Sequence, residues 1–394
     1  MKIHNELLST PQEIQALATA LQGQSMIAVD TEFLRETTFY PVIGLIQIAT
    51  ETESWLVDPL RLENPDIQPL LDVFCDPKIV KVLHASQADQ ECLYTSYGVT
   101  ATPSIDTAVA ASLCGYGDSI GLSKLLKDVL GVHVPKGHAR TDWTARPMQE
   151  HLKKYAHQDV QHLVKVAKKL LEQLDSKGRK AWAFELSARF EKKKNYEPNP
   201  EGIALKLVKS GRLDNRGYAA LIELVRWREN RVRHLDVPRR RVADDDVLMD
   251  LAKVRPKNLD HLTAFRGLNK GELKASATAL LEAIQKSEKL GESELPQVPT
   301  PAIPSLSEAR AVEFLQCFVR ILSDQLEISA RHLITGDDLL FLLRRNVNTV
   351  EDMVKEGLLT EGAGRLIGEE LLAMLKGKRQ LSLRNNQVFL VEQA

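Results

Sequence analysis

Two carboxylates, Asp30 and Glu32, stand two residues apart at the end of the apolar run 26–29. In an extended strand residues i and i+2 share a face, so both acids would project from one spot at a strand end. Like charges held that close need a cation; the alternative is a polar strand exit into a loop. A second constellation lies in 155–163, inside a stretch (148–174) where Leu152, Ala156, Val160, Leu163 and Ala167 recur at helical spacing. Tyr155 and Asp159 are four apart and share a helix face beside that stripe. A phenol and a carboxylate looking the same way can hold or deprotonate a metal-activated water; otherwise they are a pair on a solvated face. A third acid, Asp89, falls in the first turn of a helix after the short apolar run 79–83. That strand end delivers it toward the edge where Asp30 and Glu32 emerge, although an acid near a helix N-terminus is also favourable by itself.

The elements that must position these groups are legible as apolar runs at 26–30, 43–49, 55–58 and 79–83, interleaved with helical segments. Thr10-Pro11-Gln12-Glu13 reads as a capping box opening the first helix. Other acids have simpler explanations. Asp58 runs into Pro59 and suits a turn; Asp106 precedes Thr107 and an apolar helical run and suits a cap. Asp142, between Arg140 and Trp143, fits either a substrate groove or ordinary surface contacts. His84 reads as a hydrogen-bonded structural histidine.

In combination these residues follow one pattern. Asp30-x-Glu32, Asp89 and Tyr155-x-x-x-Asp159 resemble the DEDD 3′-5′ exonucleases, in the tyrosine subgroup. The strings Val29-Asp30-Thr31-Glu32-Phe33, Tyr40-Pro41, Gly44-Leu45-Ile46-Gln47, Leu83-His84-Ala85, Arg140-Thr141-Asp142-Trp143 and Arg146-Pro147 resemble the ribonuclease D family, over roughly the first 175 residues. The resemblance implies a ribonuclease H-like α/β core and two divalent ions, Mg²⁺ or Mn²⁺, which hard oxygen donors favour over zinc. It further implies that Asp30 bridges both ions, Glu32 and Asp159 complete the one that activates water, and Asp89 serves the leaving-group side. Tyr155 would orient the attacking water. The histidine subgroup places its histidine five residues before the last Asp, where this chain has Lys154, so Tyr155 rather than His157 is the candidate. Phe33 and Trp143 could stack on bases and Arg140 hold a phosphate.

Charge is balanced overall, with a net of −1, which by itself implies no nucleic acid. It is uneven, however: residues 226–241 hold seven arginines against Glu229 and Asp236. Such a stripe suits phosphate backbones, with Arg226, Arg233, Arg239, Arg240 and Arg241 as candidates; a solvated helix face is the other reading. After the break at Lys192-Lys193-Lys194 and Pro198-Asn199-Pro200, helical segments follow at about 215–234, 244–254, 258–265 and 270–289. The strings 238–248 and Leu262-Thr263-Ala264-Phe265-Arg266-Gly267 resemble the HRDC domain, a helical module that commonly binds nucleic acid. Past the proline-rich linker 296–304 a second copy is detectable, because Asp245-Asp246-Val247-Leu248 recurs as Asp337-Asp338-Leu339-Leu340. Residues 301–394 carry eleven Lys/Arg against thirteen Asp/Glu, so this copy lacks the basic stripe, which suits packing or substrate gating.

The expected organisation is therefore an exonuclease domain at 1–190, a first HRDC domain at 205–292 and a second HRDC-like domain at 305–394: a mixed sheet flanked by helices, then two all-α modules. The four cysteines show no CxxC spacing, the N-terminus has no basic and apolar leader, and no apolar run reaches membrane-spanning length. These features fit a cytoplasmic protein, and because each module reads as complete, a monomer is the default expectation. The expected activity is 3′-5′ trimming of RNA with a single-stranded 3′ end, typically tRNA precursors. The same chemistry would serve a 3′-5′ exodeoxyribonuclease of the proofreading or Werner type, and a non-catalytic RNA-binding scaffold is the alternative from another class.

Overall fold

The computed structural model describes the chain except for residues 136–140, 209–212, 266–267, 269, 299–303, 346 and 393–394. Six strands form one mixed sheet: β1 (Lys2–Leu8), β2 (Met26–Leu34), β3 (Val42–Ala49), β4 (Glu53–Val57), β5 (Val80–Leu83) and β6 (Ser104–Asp106), ordered β1-β4-β3-β2-β5-β6. β1 runs parallel to β4, β3 antiparallel to β4, and β5 parallel to both β2 and β6. The helices of this part are α1 (Pro11–Leu21), α2 (Asn64–Cys75), α3 (Gln87–Tyr97), α4 (Thr107–Cys114), α5 (Leu122–Leu130), α6 (Glu150–Val160), α7 (Leu163–Ser176) and α8 (Lys180–Ser187). The four expected strands and the Thr10 capping box are present. β1, an edge strand with an irregular apolar pattern, and β6, only three residues long, were not expected. The periodic stretch 148–174 is two helices rather than one, broken at Gln161 and His162.

Residues 194–303 are helical: α9 (Pro200–Val208), α10 (Asn215–Leu235), α11 (Arg239–Val242), α12 (Asp245–Val254), α13 (Leu259–Thr263) and α14 (Lys270–Glu288). The last part holds α15 (Leu306–Leu326), α16 (Ala330–Leu333), α17 (Gly336–Arg344), α18 (Val350–Lys355) and α19 (Glu361–Leu375). An unanticipated antiparallel hairpin, β7 (Arg379–Arg384) and β8 (Gln387–Glu392), follows them. Helices α10–α14 and α15–α19 start 91 residues apart throughout. The recurrence of Asp245-Asp246 as Asp337-Asp338 is thus slipped by one, and buried Leu248 and Leu251 correspond to buried Leu339 and Leu342.

The chain divides into two compact units. The first joins Met1–Glu32, Ile43–Lys193 and Pro304–Ala394, so the second helical copy shares a unit with the sheet; the other joins Lys194–Ile303 with the excursion Phe33–Val42. In the first unit a single apolar cluster runs from the sheet (Ala28, Val82, Ile105) through α7 and α8 (Leu170, Trp182) into α15–α19 (Phe318, Ile367). The other unit has its own core around Leu221, Leu224, Leu248, Leu262 and Leu280. Among the described residues no helix is long and apolar enough to cross a membrane.

Candidate active site and metal centre

β2 pairs with β5 from Met26 to Ala28, and β5 ends at Leu83, so Asp30 and Glu32 lie past the end of that ladder. α6 brings Asp159 to the same spot: one carboxylate oxygen from each of Asp30, Glu32 and Asp159 lies within 4.8 Å of the others. The i+2 spacing on a strand and the single turn between Tyr155 and Asp159 thus meet as expected. The Tyr155 hydroxyl donates to the Asp159 carboxylate. Asp89 stands in the first turn of α3, buried, and its Oδ1 accepts from Thr31 N at 3.0 Å and Thr31 Oγ1 at 2.5 Å.

The electrostatics show how costly this assembly is without a cation. Burial first, then the charges of Asp89, Asp159 and Glu32, push Asp30 well above the ordinary carboxyl range. Burial raises Glu32 to about 8, with Asp159 and Asp89 adding to it. Asp159 is raised to about 7 by burial, opposed by the Tyr155 hydrogen bond, and Asp89 to about 6 by burial, opposed by the two bonds from Thr31. The Tyr155 phenol is held above its usual value by burial and by the carboxylates around it. Carboxylates that resist ionising together are what a divalent cation relieves, and an all-oxygen donor set suits a hard one. The residues therefore fit a divalent metal.

Several supporting residues escaped the sequence reading. Thr31, between Asp30 and Glu32, tethers Asp89 through its amide and its hydroxyl. Arg146 forms a two-pronged pair with buried Asp58, Nε to Oδ2 and Nη2 to Oδ1 at 2.7 Å each, and also donates to the carbonyls of Gly44 and Trp143. This fixes the segment leading into α6 against β3. Gly44 permits the approach, since a Cβ there would lie 2.5 Å from the Trp143 carbonyl oxygen. The string Gly44…Arg146-Pro147 was a signal for this contact, but spacing alone could not pair its ends. As expected, Asp58 caps the short 3-10 turn Pro59–Arg61 and Asp106 caps α4, accepting from Leu60 N and Ala108 N, and Asp106 also holds Ala85 N and Ser86 N. His84 Nδ1 pairs with Thr107 Oγ1, and His157 is buried with Nδ1 on Ser54 Oγ, so neither joins the acidic cluster. Asp142 is exposed and accepts from Thr144 N and Oγ1, forming a local turn.

The residues expected to hold nucleic acid fare unevenly. Trp143 is only 3% exposed, packed with Leu45, Leu56, Met148, Leu152 and Ala156 and tilted against Tyr155 at 6.1 Å between ring centroids. It backs the tyrosine and has no face free for a base. Phe33 is half-buried near the end of β2, and Arg140 lies outside the described residues. In the arginine stripe, Arg226 pairs with Glu201 and Glu223, and Arg239 grips the fully buried Glu229 through Nε and Nη2 at 2.7 Å each. Arg233 lies 3.7 Å from the same carboxylate. These three pair with the module's own acids. Arg240, with its side chain 92% exposed, and exposed Arg241 face solvent.

A mixed sheet with clustered acids at the end of a central strand and on a late helix is the framework of a metal-dependent 3′-5′ exonuclease. Residues 5–175 match the family model for a 3′-5′ exonuclease, and 219–284 match that for the HRDC domain. Ribonuclease D of Nitrobacter hamburgensis is 32% identical over 390 residues, covering 99% of this chain and 100% of its own length. That of Pseudomonas paraeruginosa is 37% identical over 294 residues, covering 73% of this chain and 77% of its own. The crystal structure of Escherichia coli RNase D, described as an exoribonuclease involved in structured RNA processing, aligns with a TM-score of 0.81 at 28% identity, covering 95% of this chain and 99% of that one. The chain belongs to the ribonuclease D family, and it is a 3′-5′ exoribonuclease.

Proposed function

We propose that this enzyme trims the 3′ ends of structured RNA, tRNA precursors among them, as a cytoplasmic monomer. Its working parts would be the exonuclease domain 1–190 and the helical modules 205–292 and 305–394. The observation that carries the catalytic reading is the trio of carboxylates from β2 and α6 within 4.8 Å. In this reading Asp30, Glu32 and Asp159, with Asp89 beside them, would hold two divalent ions, Mg²⁺ or Mn²⁺. When bound, such ions supply charge neutralisation at the scissile phosphate and a more acidic attacking water. Tyr155, its proton held by burial and by surrounding negative charge, orients that water through a hydrogen bond rather than deprotonating it. Trp143 fixes the angle of the phenol ring from behind. The water oxygen attacks phosphorus, the bond from phosphorus to the 3′ oxygen breaks, and that oxygen takes a proton as a 5′-mononucleotide leaves. Arg240, Arg241, Phe33 and Arg140 would contact the RNA.

The test uses a 5′-labelled single-stranded RNA and its DNA equivalent with Mg²⁺ or Mn²⁺, beside Asp159→Ala and a chelator control. A ladder shortening from the 3′ end of RNA, lost in both controls, is expected. A ladder mainly on DNA would instead select an exodeoxyribonuclease, and tight RNA binding with no ladder under either metal a scaffold.

A further inference from the structure

The chain leaves the catalytic unit immediately after Glu32. Residues Phe33–Val42 belong to the unit built by the first helical module, although β2 itself continues to Leu34. There the module grips the excursion at two points. Asp236, the residue that ends α10, accepts from both Phe39 N and Tyr40 N at 3.0 Å through its Oδ1. The Phe39 ring lies under two guanidinium groups, Arg233 at 5.1 Å and Arg239 at 5.2 Å from its centroid. Those cations are themselves aimed: Arg239 is clamped by buried Glu229, and Arg233 donates to the Glu229 carbonyl at 3.0 Å. Tyr40 packs edge-on against Phe39 with centroids 5.0 Å apart.

A carboxylate accepting two backbone N–H bonds and a ring facing two cations form a specific grip, each component stronger than a neutral contact. Asp236 holds it at a backbone cost, because its φ of +49° is left-handed. Only residues 35–38 separate the end of β2 from the first gripped amide, a reach of at most about 14 Å when extended. Wherever the grip holds Phe39, the exit of β2 is restrained, and Glu32 stands two residues before that strand's end.

We infer that the first helical module positions the catalytic strand: its Asp236, Arg233 and Arg239 grip on Phe39 and Tyr40 fixes the exit of β2 and so holds Glu32 where it can ligate metal. This rests on the assignment of Glu32 as a ligand. It gives the arginines a task in chemistry that does not pass through RNA. Asp236, Arg233, Arg239 and Phe39 are positioning residues, since none touches the reacting atoms.

The test compares Asp236→Gly, Asp236→Asn, Phe39→Ala and Phe39→Tyr in the full chain. Asp236→Gly keeps the left-handed backbone and removes only the acceptor, whereas Asp236→Asn keeps an acceptor oxygen and tolerates that backbone. Mn²⁺ affinity is read by electron paramagnetic resonance without substrate, and kcat and KM on an oligoribonucleotide and on a dinucleotide too short to span the helical module. Asp236→Gly and Phe39→Ala are expected to weaken Mn²⁺ binding and lower kcat by about tenfold on both substrates, as misplacement of a ligand does, with KM for the oligonucleotide nearly unmoved. Asp236→Asn and Phe39→Tyr should restore most of the loss. A rise in oligonucleotide KM alone, with Mn²⁺ affinity and dinucleotide turnover intact, would make the module an RNA grip and overturn the inference, as would no change in any quantity. A wild-type chain that binds Mn²⁺ yet cleaves neither substrate would refute the exonuclease reading instead, and the Mn²⁺ arm would still decide on the grip.

Discussion

α10 and α15 are both 21 residues long, each ends on a non-glycine residue in the left-handed conformation (Asp236 and Glu327), and each leads after three residues into a four-residue helix. The same corner makes the tertiary attachment in both copies, by different means. In the first copy Asp236 takes two amides of the excursion after Glu32. In the second, the corner docks on the exonuclease core: Lys177 Nζ bonds Glu327 at 3.1 Å, Arg179 Nη2 donates to Leu326 O at 2.9 Å, Ser329 Oγ donates to Asp118 at 2.6 Å, and His332 Nε2 meets Ser112 Oγ at 3.0 Å. The interiors differ accordingly. Where the first copy buries Arg228 and Glu229, the second has buried Val319 and exposed Arg320. A buried ion network makes a self-contained module, while an apolar face merges with a neighbouring core. One helical plan has become a separate unit in one case and part of the catalytic body in the other.

The sharpest way to break that contrast is to damage each copy's own seam and ask which part of the molecule unfolds. Trp182 of α8 is 1% exposed, donates to Thr360 Oγ1 at 2.8 Å, and fills the space above Gly362 so closely that a Cβ there would overlap its ring. Trp182→Ala should cost about 3–5 kcal/mol and lower the midpoint of the transition that carries the exonuclease core together with α15–α19. Glu229→Gln leaves the arginines around it short of a counter-charge, costs roughly 3 kcal/mol, and should act on the other transition alone. Denaturant unfolding followed by hydrogen exchange at both cores reads this. Equal shifts of both transitions by either variant would end the claim of separate units.

A smaller effect distinguishes the units by pH. Glu32 and Asp159, raised to about 8 and about 7 by burial, bind protons more tightly folded than unfolded. In metal-free protein the stability they contribute is complete below about 4.5, near their unfolded values, and is lost as pH rises through about 7 to 8. The exonuclease transition should therefore weaken on going from pH 5 to pH 8 without metal, and added Mg²⁺ or Mn²⁺ should offset the loss increasingly at the upper end, where Glu32 and Asp159 give up their protons. The transition of the first helical module contains neither group and should not follow. Thermal scans at several pH values, with and without metal, would expose a failure if both transitions moved in parallel.

Much of the site was legible because its residues are close in sequence within their own elements. The pair Asp30 and Glu32 needed only strand alternation, and Tyr155 with Asp159 only one helical turn. The near-coincidence of expected and observed helices in 215–289 has the same origin, since their apolar periodicity is local. What was not legible depended on partners far along the chain. Trp143 is an exposed aromatic beside arginines until Gly44 lets β3 pass beneath it and Arg146 ties the segment to Asp58, 88 residues away. The arginine stripe looked like a phosphate surface because sequence shows seven cations against two acids, and cannot show that one of those acids, Glu229, is fully buried beneath three of them. β6 is too short to carry a pattern, and β1 too irregular.

A contribution of the exposed end of the stripe to RNA binding can be measured. Arg240 lies 3.7 Å from Asp244 with its side chain 92% exposed, and Arg241 is exposed. If each meets one phosphate, replacing both by Ala should weaken binding of long single-stranded RNA evenly across sequences and reduce the slope of log affinity against log salt by about 1.4, roughly 0.7 per phosphate. The corresponding positions of the second copy make an instructive control: Arg331 is spent on Asp118 and His332 on Ser112, so Arg331→Ala should leave the salt slope alone while loosening the attachment of α16. A slope that fell by far more than about 1.4 in the Arg240 and Arg241 variant would mean that the paired arginines also open toward RNA, and the first copy would then be a binding surface before it is a separate structural unit.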